Sequence, residues 1–112
     1  GRALLANLPQ EECEARVKHD RLARLTKSSI TDRQQLRKVL EEIRDCGYAL
    51  VDQELEVGLR SLAVPIADRA GHVVAAIGIS TSDPLGSARD VVRNYLGKLK
   101  SAAAEIALSI PS

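Results

Sequence analysis

The sequence predicts an α+β domain built on a mostly antiparallel sheet with helices packed on one face. Three observations carry this. Residues 58–66 and 73–80 alternate bulky with small side chains on either side of the turn signal Asp68-Arg69-Ala70-Gly71, which is the pattern of a β-hairpin. Residues 31–47 open on a capping box, close on a glycine and carry apolar residues at helical spacing between them. From Ser87 onward a long apolar stripe recurs at the same spacing.

Taken in order, residues 1–8 read as a short helix carrying Ala3, Leu4 and Leu5. Pro9 opens a second helix, with Glu11, Glu12 and Glu14 near its N-terminus, where acids suit the helix dipole. His19 to Ser29 is polar and irregular, a loop holding Leu22 and Leu25. Thr31 supplies the N-cap hydroxyl of the next helix and Gln34 completes its box. Leu36, Val39, Leu40 and Ile43 line one side of that helix, and Gly47 is its left-handed stop. Tyr48 to Val51 is a short strand, and Asp52 to Glu56 an acidic connection into the hairpin. After Ser80, the residues Ser82, Asp83, Pro84 and Gly86 mark a loop. Ser87 caps the last helix with Asp90 at N3, and Val92, Tyr95, Leu96, Leu99, Ala103, Ile106 and Ile110 form its stripe.

The hairpin is the part of the chain that points to function. Closure with Ala67 beside His72 sets Ser61 opposite Gly78, Ala63 opposite Ala76 and Leu59 opposite Ser80. Leu62, Val64, Ile66, Val73, Ala75, Ile77 and Ile79 then share one face, which packs a core. Ser61, Ala63, Ala76, Gly78 and Ser80 share the other, which leaves room for a small polar ligand. The same small residues also suit close packing of a helix. Pro65 removes one strand hydrogen bond and marks an edge or a bulge. Arg60 falls on the apolar face.

Composition narrows the function classes. At 112 residues one domain is expected, or part of one. The chain starts at Gly1 and has no methionine, which reads as a processed chain or a fragment. Such a chain buries about two-thirds of its unfolded surface. The aromatics are Tyr48 and Tyr95, so stacking platforms for single-stranded nucleic acid are absent. Sixteen Lys and Arg against 15 Asp and Glu leave a net charge of +1, with no basic field for DNA. No apolar run spans a bilayer and no segment reads as a signal peptide. Cys13 and Cys46 fall on predicted helices without metal spacing, as reduced cysteines of a cytosolic protein do. No nucleophile elbow, phosphate loop or ligand cluster is present, and no cofactor, metal or catalytic residue is expected. His19 and His72 read as solvated, as do Glu11, Glu12, Glu41 and Glu42.

Gly47-Tyr48-Ala49, Asp52-Gln53-Glu54, the run Gly58 to Ile66, Asp68, Gly71 and Ala75-Ala76-Ile77-Gly78-Ile79-Ser80 together resemble the effector-binding domain of IclR-type bacterial transcription regulators. The opening Gly1-Arg2-Ala3-Leu4-Leu5-Ala6 is similar to a helix start in the same domain, and the closing amphipathic helix fits it. Within the family, Ser61 and the Ala63-Val64-Pro65-Ile66 run look most like regulators of the β-ketoadipate pathway of aromatic acid breakdown. The resemblance implies a GAF-like effector domain behind a winged helix-turn-helix, assembled as a dimer or tetramer in the cytoplasm. It makes residues 1–112 a single truncated effector domain, with the DNA-binding part and the first strands of the sheet before Gly1. It also implies a ligand site at Asp52, Ser61, Gly78 and Ser80. By position Ser61 matches a pocket cysteine, Gly78 and Ser80 match two pocket serines, Val51 stands where an aspartate contacts ligand, and Asp52 matches the acid beside it and borders the pocket mouth. Gly78 for serine and Val51 for aspartate imply a bulkier or less polar ligand than a two- or three-carbon keto acid.

The function expected is sensing of a small aromatic, keto or dicarboxylic acid by population shift, with DNA bound through the missing domain and no membrane involved. The acid's carboxylate is expected at the backbone N–H groups of the helix start near Gly1. Two other readings stand beside it. Thr31 to Gly47 with the hairpin superficially resembles a recognition helix and wing, and the last helix's stripe also serves a dimerisation module without ligand.

Overall fold

A computed structural model describes residues 1–19, 22–83 and 85–110. The elements are α1 (Arg2–Ala6), α2 (Gln10–His19), α3 (Arg33–Cys46), β1 (Ala49–Asp52), β2 (Leu59–Ala67), β3 (Val73–Ser82) and α4 (Ala88–Leu108). Pro84 of the expected loop, and Asp20 and Arg21 of the loop after α2, lie outside the described residues. The α+β class is as the sequence predicts.

Local chemistry sets most boundaries. Gly47 ends α3 at φ 82, and its N–H donates to the Ile43 carbonyl. The Ser87 hydroxyl accepts from the Asp90 N–H and starts α4. At the head of α3 the cap is Asp32 and not Thr31: its carboxylate accepts from the Gln34 N–H and the helix begins at Arg33. A carboxylate one residue later caps equally well and displaces the hydroxyl. Arg37 donates from Nε and Nη2 to the Glu14 carboxylate, joining α3 to α2. This hydrogen bonding holds the Glu14 carboxyl below its ordinary value.

The sheet runs β1-β2-β3 and is antiparallel throughout. Its register differs from the expected one. The Asp68 side chain accepts from the Ala70 and His72 N–H groups, and the Asp68 N–H donates to the His72 carbonyl. The loop therefore consumes Asp68 to His72, and Ala67 pairs with Val73. An irregularity between Ile66 and Ala67 then sets Ile66 opposite Ala75. The correction is that Ser61 faces Ser80, Ala63 faces Gly78 and Leu59 faces Ser82. The slip is an even number of residues, so from Leu59 to Ile66 and from Ala75 onward each side chain keeps its expected face, whereas Val73, expected on the core face, pairs with Ala67 across the irregularity and lines a groove beside α1. Pro65 is not the bulge. It lies beyond Ala63, where β2 no longer pairs with β1 and a missing N–H costs no ladder bond on that side.

The two faces of the sheet close different cores. Leu62, Val64 and Ile66 are buried with Val91, Leu99 and Ala103 of α4, and Ala75, Ile77 and Ile79 pack against them. The α4 stripe is turned slightly from its expected line: Val91 and Ala107 face inward, while Tyr95 and Ile106 are exposed. On the opposite face Ala49 is buried with Ala3, Ala6, Cys13, Val17, Leu36, Leu40 and Ile43, and Ala63 packs against this group. A second helical layer of α1, α2 and α3 thus covers the β1 side of the small-residue face, in addition to the expected cover by α4. Cys13 is buried, Cys46 is exposed, and both are free thiols.

Gly78 is explained by close approach. A Cβ built there would stand 2.9 Å from the Leu62 carbonyl oxygen and 3.1 Å from the Ala63 Cβ. Gly78→Ala is expected to destabilise the fold by about 1 kcal/mol through this overpacking, measured as a lowered urea midpoint.

Candidate functional site

Pairing of three strands places Val51, Ser61 and Ser80 in one cross-strand row, with Ala49, Ala63 and Gly78 in the row beside it. The Ser61 and Ser80 hydroxyls lie 3.0 Å apart and hydrogen-bond. Each hydroxyl has a further lone pair to accept with, and one of the two O–H groups can be redirected to an incoming oxygen. The corrected register is what brings them together: two strand residues directly opposite on one face are within side-chain reach.

The row lies at the open half of the small-residue face. Ser80, Gly78, Ala76 and Val74 of β3 are exposed, whereas Ala49 on the β1 side is buried. Beside the open half runs a groove of about 750 Å³ lined by Leu4, Leu5 and Leu8 of the α1 segment and by Val73 and Val74 of β3, with Arg2, Arg16 and His19 contributing. Val74 lies on the same exposed series of β3 as Ser80 but six residues, about 20 Å, along the strand from it, so the serine row is not part of the groove's lining. An apolar wall, cations and paired hydroxyls are complementary to a small organic acid.

Of the four expected site residues, the structure gathers Ser61, Gly78 and Ser80. Asp52 is placed elsewhere. It pairs with Arg60 in the register, and its carboxylate accepts from Arg60 Nε at 2.8 Å on the α4 side of the sheet. Arg60 is buried on the apolar face, as its alternation implied, and also donates from Nη1 to the Asp83 carbonyl at 3.0 Å. The expected carboxylate receptor at the helix start near Gly1 is weakly supplied, because α1 spans five residues.

Sequence reasoning missed Arg2 and Glu54, which form a two-pronged ion pair between α1 and the loop after β1, at 2.7 and 2.5 Å. An arginine and a glutamate 52 residues apart carry no local signal of pairing. The recognition-helix reading of α3 gains nothing here. Arg33 donates to the Val17 carbonyl, Arg37 to Glu14 and Arg44 to the Ala6 carbonyl, so these cations serve the fold. No helix among the described residues is long and apolar enough to cross a membrane.

The family model described as "Bacterial transcriptional regulator IclR C-terminal" matches residues 1–108. The chain is 33% identical over 106 residues to the Pca regulon regulatory protein of Pseudomonas putida, covering 95% of this chain and 36% of that protein. It is 34% identical over 106 residues to the HTH-type transcriptional regulator KdgR of Escherichia coli K12, covering 95% of this chain and 40% of that one. Among solved structures, a double mutant of the inducer-binding domain of the PobR transcription factor from Acinetobacter, in complex with 3-hydroxybenzoic acid, is similar. It has a TM-score of 0.85 and 26% identity, over 95% of this chain and 61% of that one.

Proposed function

Because this chain belongs to the family of C-terminal domains of IclR-type bacterial transcriptional regulators, we propose that it senses a small organic acid on its open sheet face and transmits occupancy to DNA-binding parts of the same regulator. The observation that carries the reading is the Ser61–Ser80 hydroxyl pair, 3.0 Å apart on an exposed face of the sheet. In this reading the hydroxyls bond a polar end of the ligand, beside the close strand approach at Gly78 in the next row. Asp52 acts from behind the row, by fixing the end of β1 through Arg60.

Val51 and Gly78 remove an acid and a hydroxyl from that neighbourhood, which favours an aromatic or longer-chain acid over glyoxylate. Two of the three relatives named above support that class, one being a Pca regulon regulator and another a domain holding 3-hydroxybenzoic acid. A ligand that binds one arrangement of an oligomer better than another shifts the population by its differential affinity. The same reading makes the regulator a cytoplasmic dimer or tetramer. It assigns DNA contact to a winged helix-turn-helix outside these residues.

The test is calorimetric titration of the intact protein with protocatechuate, β-ketoadipate and glyoxylate. Protocatechuate or β-ketoadipate is expected to bind, and Ser61→Ala or Ser80→Ala to weaken that binding about tenfold, the worth of one hydrogen bond to a charged group. Preferential binding of glyoxylate, or affinity indifferent to both serines, would remove the proposal.

A further inference from the structure

Resting on the effector reading, we propose that Arg2 and Glu54 are positioning residues for the ligand: together they clasp the start of α1 to the β1–β2 loop and so set the wall of the groove. Arg2 lines that groove. Its Nη1 and Nη2 donate to the two Glu54 carboxylate oxygens at 2.7 and 2.5 Å. The pair is largely withdrawn from water, with side chains 21% and 14% exposed. A planar guanidinium on a carboxylate fixes direction as well as distance, which a single ammonium does not.

The anchor end of the clasp is stiff. The Glu54 carbonyl accepts from the hydroxyl of buried Ser29, and the Gln53 carbonyl from the Thr26 hydroxyl. The Gln53 side chain accepts from the Gly58 N–H, and the Gln53 N–H donates to the Leu59 carbonyl. Gln53 sits at φ 58, the single positive value at a non-glycine among the described residues. Such a conformation persists when its surroundings over-determine it. Glu54 is therefore held in place three residues beyond Val51, the row neighbour of Ser61.

The held end has little stability of its own. A five-residue helix does not persist in isolation, so tertiary contacts decide where α1 lies. Its far end is retained by the Arg44 bond to the Ala6 carbonyl and by burial of Ala3 and Ala6. Loss of the clasp thus frees the first turn and the groove wall without dissolving the core.

A double-mutant cycle on the intact protein tests this. Arg2→Ala, Glu54→Ala and the double variant are titrated with 3-hydroxybenzoate and protocatechuate, with thermal melting of each to confirm folding. Each single change is expected to weaken binding by at least about tenfold, or 1.4 kcal/mol. The double is expected to be no worse than either single, and Arg2→Lys to fall between wild type and Arg2→Ala. Unchanged affinity in Arg2→Ala, or losses that simply add in the double variant, would overturn the clasp. Paired Ser61→Ala and Ser80→Ala controls keep the two readings apart. Binding lost with the serines but intact in Arg2→Ala removes the clasp and keeps the site. Binding indifferent to the serines but lost with Arg2 removes the serine site and keeps the clasp.

Discussion

Asp52→Ala is expected to destabilise the domain by about 3 kcal/mol, read as a shift in the urea midpoint at unchanged slope. The reason lies in the partner and not in Asp52 itself. Arg60 is 6% exposed, deep on the α4 side of the sheet, with Asp52 its one carboxylate partner among the bonds formed there. Removing Asp52 leaves a buried guanidinium bonded, among the described residues, to the Asp83 carbonyl alone. Breaking a buried pair from one side costs about 3–5 kcal/mol. The lower end applies, because the Asp52 side chain is 44% exposed and water reaches that side of the pair. The asymmetry gives a second expectation. Arg60→Met leaves Asp52 able to hydrate and is expected to cost less than Asp52→Ala. Asp52→Ala combined with Arg60→Met is expected to recover most of the loss, since replacing a buried pair with packed apolar groups is often neutral. A double variant as unstable as Asp52→Ala alone would show that the cost lies in β1 pairing and not in the stranded charge.

Leu62→Ala is expected to cost about 2–5 kcal/mol, at the upper end of that range. Leu62 is fully buried on the central strand, with Leu50 opposite it on β1 and Ile79 opposite it on β3. Val91, Leu99 and Ala103 of α4 belong to the same cluster. A site backed by two strands and a helix cannot collapse into the space left, so the lost burial and the cavity both count. Leu108→Ala, at a residue 76% exposed on the same helix that covers Leu62, is the matched control and is expected to change stability by less than about 0.5 kcal/mol. Equal losses from the two changes, measured by urea unfolding, would place the core elsewhere.

The fold was legible where the physics is local. Alternation alone sorted Leu62, Val64, Ile66, Ala75, Ile77 and Ile79 from Ser61, Ala76, Gly78 and Ser80, because side chains alternate along a strand whatever its partner. Gly47 and Ser87 announced helix ends because caps satisfy backbone groups within the same few residues. The candidate site was legible in part. Ser61, Gly78 and Ser80 were named as a set, but their pairing was misaligned by two residues. Asp52 entered the expected site through the family resemblance, whereas strand alternation beside Arg60 takes it to the other face.

What periodicity, caps and turn residues decide on their own is which elements form and which face each side chain takes, since these depend on neighbours within a few positions. Contacts between distant segments decided the rest. The loop Asp68 to His72 and the irregularity at Ala67 set Ser61 against Ser80. Burial of Ala49 under α1 and α3 closed half of the small-residue face and left the other half open. The Arg2–Glu54 pair tied together groups 52 residues apart. Such partners are chosen by packing and charge once the chain has closed its long loops, and no window of sequence contains both halves of the choice.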